Sequence, residues 1–502
     1  MSEAIAGLPP PPPGKPPRDA SAVIVFRRSS TGVEVFWLER EQRLSFAGGF
    51  YAFPGGKVDA ADAKVPVQGA SGDDAKRIVT AARELFEETG LLVARGPEVA
   101  EPDVFRKALL GGADFGASLA ERGLQLFASD FRAAGRWVTP PYLPVRFDAR
   151  FFLVEAPEGQ IASVWPGELA SGEWIRPAEA LKRWEQGTAL LHPPNLHALR
   201  VMAGFTTFDH AIARLTNPPW CEDHLARHIE FQRGVHIMPL LTPTLPPATH
   251  TNAYLLGTRE LLIVDPGAPD DEECQKLVTV VRELMADGYE PKAIVLSHHH
   301  GDHVGGVKFV SEALKLPVWA HARTADRSPV KVERLLADGA RLTLDGPFPM
   351  TWKVLHTPGH AAGHLCLIDE RSRAGIVGDM VSTVSTIVID PPEGDMAVYL
   401  KQLERLRELP LGALYPSHGP AIADGVAKLG EYLLHRAWRE TKVLEAVRSF
   451  SLPVGLEDIV PRAYDDVGAF IWPLAERNTV AILQKLVAEA RVLLSDGKYR
   501  AA

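Results

Sequence analysis

The six residues from His298 to His303, HHHGDH, hold four imidazoles and one carboxylate. Neutral imidazole and carboxylate are the donors that zinc and its neighbours in the transition series accept. An apolar run, AIVL (Ala293 to Leu296), precedes them and reads as a short buried strand; Gly305 and Gly306 follow. A strand ending in such a loop delivers several donors to one point. His298 and His300 are two residues apart, so in an extended segment they point the same way. Asp302 and His303 come next, where a turn aims them at a second ion. The run is internal, follows an apolar strand and includes Asp, which sets it apart from a tag or a plain surface loop.

A second constellation lies far upstream. AKRIVTAARELFEETG reads as a helix from about Asp73 to Thr89, with Gly90 as its C-cap. Glu84, Glu87 and Glu88 stand at i, i+3 and i+4 and share one face, and Arg83 beside them is in position to pair with Glu87. Three carboxylates on one face repel each other unless a cation sits there. Hard oxygen donors suit Mg²⁺ or Mn²⁺, with Mg²⁺ commonly shared with substrate phosphates. Ahead of the helix, FAGGFYAFPGGKVD (Phe46 to Asp59) sets four glycines among aromatics, a tightly turning strand and loop near a ligand.

The elements around these groups follow from periodicity. AVIVF (Ala22 to Phe26) and VEVFWLE (Val33 to Glu39) are β-rich runs joined by a hairpin connection over Arg27 to Gly32. From Asn252 strands and helices alternate, the order of a sheet covered by helices. In that half Asp265 ends LLIVD, His360 sits in HTPGH, Asp379 ends GIVGD and His418 sits in YPSHG. Strand-end loops are where α/β folds gather their chemistry. A single strand-end Asp commonly caps the next helix; together with HHHGDH these residues form an ordered set.

The upstream, glutamate-bearing constellation carries a resemblance. FPGG followed by RELFEETG resembles the Nudix hydrolases, whose box has the core RExxEExG, and about residues 20–215 are covered. The resemblance implies that Glu84, Glu87 and Glu88 bind Mg or Mn and are catalytic, activating water against a nucleoside-linked diphosphate, with Arg83 supporting them. Gly56 and Arg83 are further apart than the usual box allows, and the position eight before Arg83 is Ala75, with Asp73 and Asp74 next to it. Such an insertion is similar to the coenzyme A diphosphatase branch, as are RFDARFFLVEAP and GEWIRPAEALKRWEQGTALLHPPNLHAL. The branch implies a substrate of nucleotide or coenzyme A type, and a further glutamate, Glu168 or Glu173.

The pattern D, HxHxDH, PGH, GD and a final H resembles the metallo-β-lactamase superfamily. It implies that His298, His300 and His360 hold one metal, that Asp302, His303 and His418 hold the other, and that Asp379 bridges them. Asp265 then orients the ligand loop from behind, Asp302 counts among the catalytic residues, and His299 is no ligand. His364 contacts substrate or packs. Two zinc ions (or Mn or Fe) about 3.5–4 Å apart bind a bridging hydroxide that attacks an ester, thioester or phosphodiester. Ligands without cysteine fit the hydrolase branches better than a dedicated β-lactamase. STIVIDPPEGDMAVYL, PSHGPAI and the tail resemble the branch with a C-terminal winged helix, which includes a single-strand endoribonuclease. The alternative is therefore an RNA endonuclease whose Nudix half is a nucleotide-binding regulatory or structural module. His435, Arg436, Arg439 and Lys442 form a modest basic cluster in the tail. The tail is balanced in charge, with ten Lys+Arg against ten Asp+Glu from Glu431 onward. A packing lid therefore outranks RNA contact.

Composition bounds the rest. At 502 residues the chain has room for about three domains. Hydrophobic content of 46% and charged content of 23% are those of ordinary globular protein. A net charge of −9 argues against a chain dominated by nucleic-acid binding. Cys221, Cys274 and Cys366 form no CxxC pair, which suits a reducing compartment, and no apolar run reaches membrane-span length. The expectation is a cytoplasmic metal-dependent hydrolase of small molecules, without a membrane partner. Its fold class is α/β and α+β multidomain. Residues 1–20 are a disordered Pro-rich tail and 21–215 a Nudix α/β/α sandwich. Residues 216–250 are a linker merging into the next domain, 251–432 a metallo-β-lactamase αββα sandwich, and 433–502 a small helical winged-helix-like domain.

Overall fold

Along the strand Arg18–Ser29 neighbouring apolar residues go to opposite faces, as the pleat demands. Val23 and Val25, with Phe36 and Leu38 of the strand Gly32–Arg40, pack on Ile78, Val79, Leu85 and Phe86 of the helix Gly72–Thr89. Ile24 and Phe26, with Val35 and Trp37, pack the other way, on Trp184, Leu199 and Leu215 of the helices Pro177–Gln186, Pro193–Ala203 and Phe208–Thr216. Apolar cores on both faces make this half an α/β/α sandwich. The computed structural model in which this is seen describes residues 16–30, 32–44, 47–140, 145–217 and 229–502. Phe46, Cys221, His224, His228 and the proline-rich run through residue 15 lie outside the described residues.

The chain divides at Arg233/Gly234 into two compact units. In the first, the strand Arg18–Ser29 pairs in parallel with Phe147–Glu155 and antiparallel with Gly32–Arg40. The short strand Gly55–Lys57 pairs with its beginning, Ala20 opposite Lys57. This corrects the expected tail, which ends before residue 20. Arg18, Asp19 and Ala20 are opposite Phe147, Asp148 and Ala149, and Asp19 binds Arg77 at 2.6 Å. Their polar character hides the strand's start. The hairpin is also tighter than Arg27 to Gly32, because the strands run to Ser29 and resume at Gly32.

The second unit is built on two large sheets. Strands Val235–Leu241, His250–Leu256, Glu260–Val264, Glu290–Leu296, Val318–Ala320 and Arg334–Leu335 follow one another in space. The other sheet runs Arg341–Leu344, Met350–His356, Leu365–Asp369, Gly375–Gly378, Leu414–Pro416. Leu255, Ile263 and Ile294 face the helices Asp271–Ala286 and Val307–Leu314. Leu355, Cys366 and Val377 face the helices Met396–Arg407 and Gly425–Arg448. Between the sheets the Tyr254 hydroxyl donates to the Pro416 carbonyl at 2.6 Å, and the layers are αββα.

The last segment shares the core of the second sheet: Ile459, Ile482 and Leu486 belong to one apolar cluster with Tyr399, Tyr432 and Val377. It holds the helices Leu456–Ala463 and Trp472–Ala488. A description of 433–502 as a small helical domain leaves out a hairpin, Val492–Ser495 with Lys498–Ala501. Asp496 and Gly497 make its two-residue turn, and the Asp-Gly pair was the legible signal for it. Among the described residues no helix is long and apolar enough to cross a membrane.

Candidate functional sites

The strand Glu290–Leu296 stops at a loop, and the short helix Gly301–Val304 follows. That break folds HHHGDH over one point. His298 Nε2 lies 3.0 Å from His300 Nδ1, and so does Nε2 of His360, delivered from the end of the strand Met350–His356. Asp302, His303 and His418 make a second group, with ligand atoms within 4.8 Å of one another. Asp379 stands between the groups. Its Oδ2 is 3.4 Å from His360 Nε2 and 3.7 Å from His303 Nε2, and its Oδ1 is 3.4 Å from His418 Nε2.

The backs of these ligands are tied. A carbonyl can only accept, so His360 donates Nδ1–H to Val388 O at 2.9 Å and His418 donates Nδ1–H to His250 O at 3.1 Å. Both Nε2 lone pairs therefore face the centre. His303 Nδ1 meets Asp265 Oδ2 at 2.9 Å, and Asp265 Oδ1 accepts the Ser297 N–H at 2.7 Å. Asp265 thus grips the ligand loop and stays out of the centre. Two helpers escaped the sequence reading: Thr251, whose hydroxyl donates to Asp302 Oδ2 at 3.3 Å, and His250, through its carbonyl.

His364 packs, fully buried, behind the centre. Its Nε2 accepts the Asp379 N–H at 3.0 Å, so Nδ1 carries the proton and bonds Thr357 Oγ1 at 2.8 Å. Burial pushes its pKa down to about 3, keeping that acceptor free. A Cβ at Gly378, where φ is +50°, would stand 2.4 Å from His364 Nε2; glycine is required there.

Electrostatics sort the donors. Burial, then the other imidazoles, hold His298 and His300 well below the usual histidine range. Burial also opposes charge on His303 and His418, but Asp302 and Asp379 outweigh it and raise both. Burial opposes charge on Asp379 in turn, and His418 and His303 override it, holding the carboxyl well below its usual range. His303 Nε2 and Asp379 Oδ1 are buried without a hydrogen bond. Lone pairs converging on one point, with buried donors left over, fit a divalent ion of the zinc, manganese or iron kind.

In the first unit Gly72–Thr89 is the helix expected from about Asp73, and Gly90 caps it in the left-handed conformation. Arg83 contacts Glu84 at 2.8 Å and Glu87 at 3.2 Å, and donates to Asp62 through Nε at 3.0 Å and Nη2 at 2.9 Å. Glu88 accepts the Gly55 N–H at 2.8 Å, and a Cβ at Gly56 would strike the Glu84 carboxylate at 2.4 Å. The FPGG turn is thus pressed against the acidic face. Burial pushes Glu84 up to about 7 and Glu88 up to about 8, and also raises Glu87. A buried carboxylate cluster with raised pKa values fits a hard cation.

Asp62 answers the search for a carboxylate eight residues before Arg83. It stands six residues after Gly56, ahead of the insertion, and counting forward from FPGG finds it. Of the two further glutamates, Glu168 bears on Glu88 through its charge. Glu173 is bound by Arg183 at 2.6 Å and by Trp37 Nε1 at 3.3 Å, on the sheet face away from the helix Gly72–Thr89. His299, expected to be no ligand, is mostly buried against Glu393 and Arg327, at 3.2 and 3.0 Å, and with His300 and Glu393 forms a further group of possible ligands. The basic cluster of the tail is spent internally: Arg436 donates to Ile387 O, Arg439 pairs with Asp466 at 2.7 Å, and Lys442 pairs with Asp465.

Three family models match: "NUDIX domain" over residues 16–193, "Metallo-beta-lactamase superfamily" over 246–418 and "Beta-lactamase associated winged helix domain" over 456–498. The chain is 30% identical over 250 residues to the Beta-lactamase-like protein 2 homolog of Caenorhabditis elegans, covering 48% of this chain and 80% of that one. It is 31% identical over 201 residues to an Atrochrysone carboxyl ACP thioesterase of Aspergillus chevalieri, covering 39% of this chain and 60% of the relative. A NUDIX hydrolase from Alicyclobacillus acidocaldarius is similar in structure at 31% identity and a TM-score of 0.38, over 41% of this chain and 99% of that one. The chain is a hydrolase that belongs to the metallo-beta-lactamase superfamily, with that superfamily's associated winged helix behind the hydrolase domain and a NUDIX domain ahead of it.

Proposed function

We propose that the chain is a bifunctional metal-dependent hydrolase. The observation that carries this reading is the position of Asp379, whose carboxylate approaches His360 on one side and His303 and His418 on the other. His298, His300 and His360 hold one ion, Asp302, His303 and His418 a second, and Asp379 serves both. Two bound divalent ions, zinc by preference and manganese or iron otherwise, supply Lewis-acid polarisation of the scissile group and water of lowered pKa. The residues do the remainder. Asp265, Ser297 and Thr251 fix the ligand loop. Asp302 keeps one oxygen free of Thr251 and is the proton acceptor we assign, returning the proton to the leaving group.

The substrate we assign to this half is an ester or thioester, because a relative of the same half is named a thioesterase. A phosphodiester of RNA is the less favoured substrate, since Arg436 and Arg439 are buried on internal partners and Lys442 is paired with Asp465. In the first unit Glu84, Glu87 and Glu88 hold Mg²⁺ or Mn²⁺ for cleavage of a nucleoside- or coenzyme A-type diphosphate. A coenzyme A thioester as partner gives both halves one ligand class. The buried thiols of Cys274 and Cys366 suit a reducing compartment, and we assign the cytoplasm.

The test is a screen of the purified chain against acyl-coenzyme A, nucleotide diphosphates and single-stranded RNA, with metal analysis. Thioester and diphosphate cleavage, with two transition ions per chain that His300→Ala diminishes, is the expected result. RNA cleavage alone, or a full metal content in His300→Ala, overturns the reading.

A further inference from the structure

Residues 380–390 form a loop beside the metal-ligand groups, between the strand Gly375–Gly378 and the helix Met396–Arg407, and no helix or strand spans it. It matters because Val388 supplies the carbonyl that takes Nδ1–H of His360, at 2.9 Å. A buried backbone without a ladder needs partners from elsewhere. Here they come from the C-terminal helices. Asn478 Oδ1 accepts the Ile389 N–H at 2.9 Å, and Arg436 donates to the Ile387 carbonyl. Arg436 and Asn478 also meet at 3.5 Å, and both are buried, at 4% and 6% exposure. One residue on each side of Val388 is therefore clamped. Further anchors lie along the loop: Tyr432 accepts the Ser382 N–H at 2.7 Å, and Arg477 pairs with Asp390 at 2.8 Å.

We propose that the C-terminal helical domain acts as a positioning device for one metal ligand: Arg436 and Asn478 hold residues 387–389 so that the Val388 carbonyl fixes the ring of His360. They are positioning residues that touch neither substrate nor ion. This assigns the domain a task inside the hydrolase centre, in place of nucleic-acid contact. Removing the acceptor at Asn478 leaves the Ile389 N–H and the Arg436 guanidinium buried without it. The loop then relaxes, Val388 O moves, and His360 loses its fixed tautomer and direction. Partners behind a metal-bound histidine typically weigh about 10–100-fold in metal affinity.

The inference rests on the assignment of His360 to an ion, and the experiment separates the two. The full chain is loaded with Co²⁺ for its ligand-field spectrum, and with zinc against a chromophoric chelator. Asn478→Leu is expected to weaken one of the two ions about 10–100-fold and to shift the Co²⁺ spectrum. Asn478→Asp, which keeps the accepting oxygen, restores both. Arg439→Met breaks the ion pair with Asp466, one helical turn from Arg436 but bonded to Ala463 and Asp466 and not to residues 387–389, and is expected to lower stability with metal affinity unchanged. Arg436→Met is read in the same way as Asn478→Leu should that variant not fold. If Asn478→Leu and Arg436→Met bind both ions like the parent chain, or lose no more affinity than Arg439→Met, the clamp is wrong. If His360→Ala keeps both ions, the ligand assignment is wrong and the clamp falls with it; if it loses one ion while the other variants lose none, only the clamp falls.

Discussion

On the helix Gly72–Thr89 the donors sit within one turn and a half of each other, and a single guanidinium, Arg83, touches two of them. Around Asp379 the donors come from separate strand ends between His298 and His418, and three of the imidazoles, His360, His418 and His303, are each steered by a partner of their own: Val388 O, His250 O and Asp265. The first site is assembled by local helix geometry, so its register survives small changes elsewhere. The second exists only when two sheets and a C-terminal helix layer are all in place. The local site carries the cost of its compactness as mutual repulsion. The distributed site mixes signs: Asp379 and Asp302 offset the charge of His303 and His418, while His298 and His300 are held neutral by burial and by the other imidazoles.

That contrast predicts unequal damage. Asp379 faces both ligand groups, and no neighbouring carboxylate replaces it. Asp379→Ala is expected to release both ions and to lower hydrolysis by about 10³-fold, the scale of lost charge stabilisation in a transition state. Metal analysis and steady-state rates check this, and retention of two ions in the variant breaks the contrast. Glu87→Gln is expected to be milder, about 10²-fold on diphosphate cleavage, because Glu84 and Glu88 remain. Hydrolysis at the histidine centre should be unchanged in it. A loss in both activities would mean that the two chemistries share residues.

Asp62→Ala probes how the local site is held. It leaves Arg83, with 15% of its side chain exposed, without the partner it meets through two nitrogens. Arg83 keeps Glu84 and Glu87, so the loss is that of charge-assisted hydrogen bonds, about 2 kcal/mol. The expected result is a lower denaturant midpoint for the first unit, with the transition of the second unit unmoved.

How much of this was legible in the sequence follows the same division. Glu84, Glu87 and Glu88 could be read outright, since i, i+3 and i+4 fix a helix face. The ordered set of donors from His298 to His418 was legible too, through loops that follow apolar strands and through the resemblance that their pattern carries, and the structure brings these residues together. What could not be read is whatever depends on two distant backbones meeting. Val388 and His250 act through carbonyls, which any residue type provides. Thr251 looks like an ordinary polar residue of a strand until Asp302 arrives beside it, and only the Asp379 N–H on its Nε2 decides that His364, singled out in the sequence, packs. Asp62 was hidden by the insertion that separates it from Arg83, and the strand at Arg18 by its polar start. For the basic cluster the balanced charge of the tail favoured packing over RNA contact, but composition could not name the partners, which are carbonyls and Asp466 for Arg436 and Arg439.

The smallest effect sharpens the comparison through pH. Burial holds Glu84 at about 7 and Glu88 at about 8, above the ordinary glutamate value. A carboxyl raised by folding keeps its proton in the folded chain, so the stability it contributes is present at low pH and is lost as pH climbs through the raised values. An arriving cation reverses this, because it takes the place of those protons. The affinity of the glutamate helix for Mn²⁺ should therefore rise between about pH 6 and about pH 9, and Mn²⁺ should restore the first unit's thermal stability most at the alkaline end. His298 and His300 lie well below the usual histidine range and hold no proton to displace in that interval. Mn²⁺ binding by electron paramagnetic resonance, on chain whose histidine centre is already filled with zinc, reads the first site alone. An affinity that is flat or falling with pH would mean that Glu84 and Glu88 ionise freely without the cation, and that the helix is an ordinary solvated acidic face.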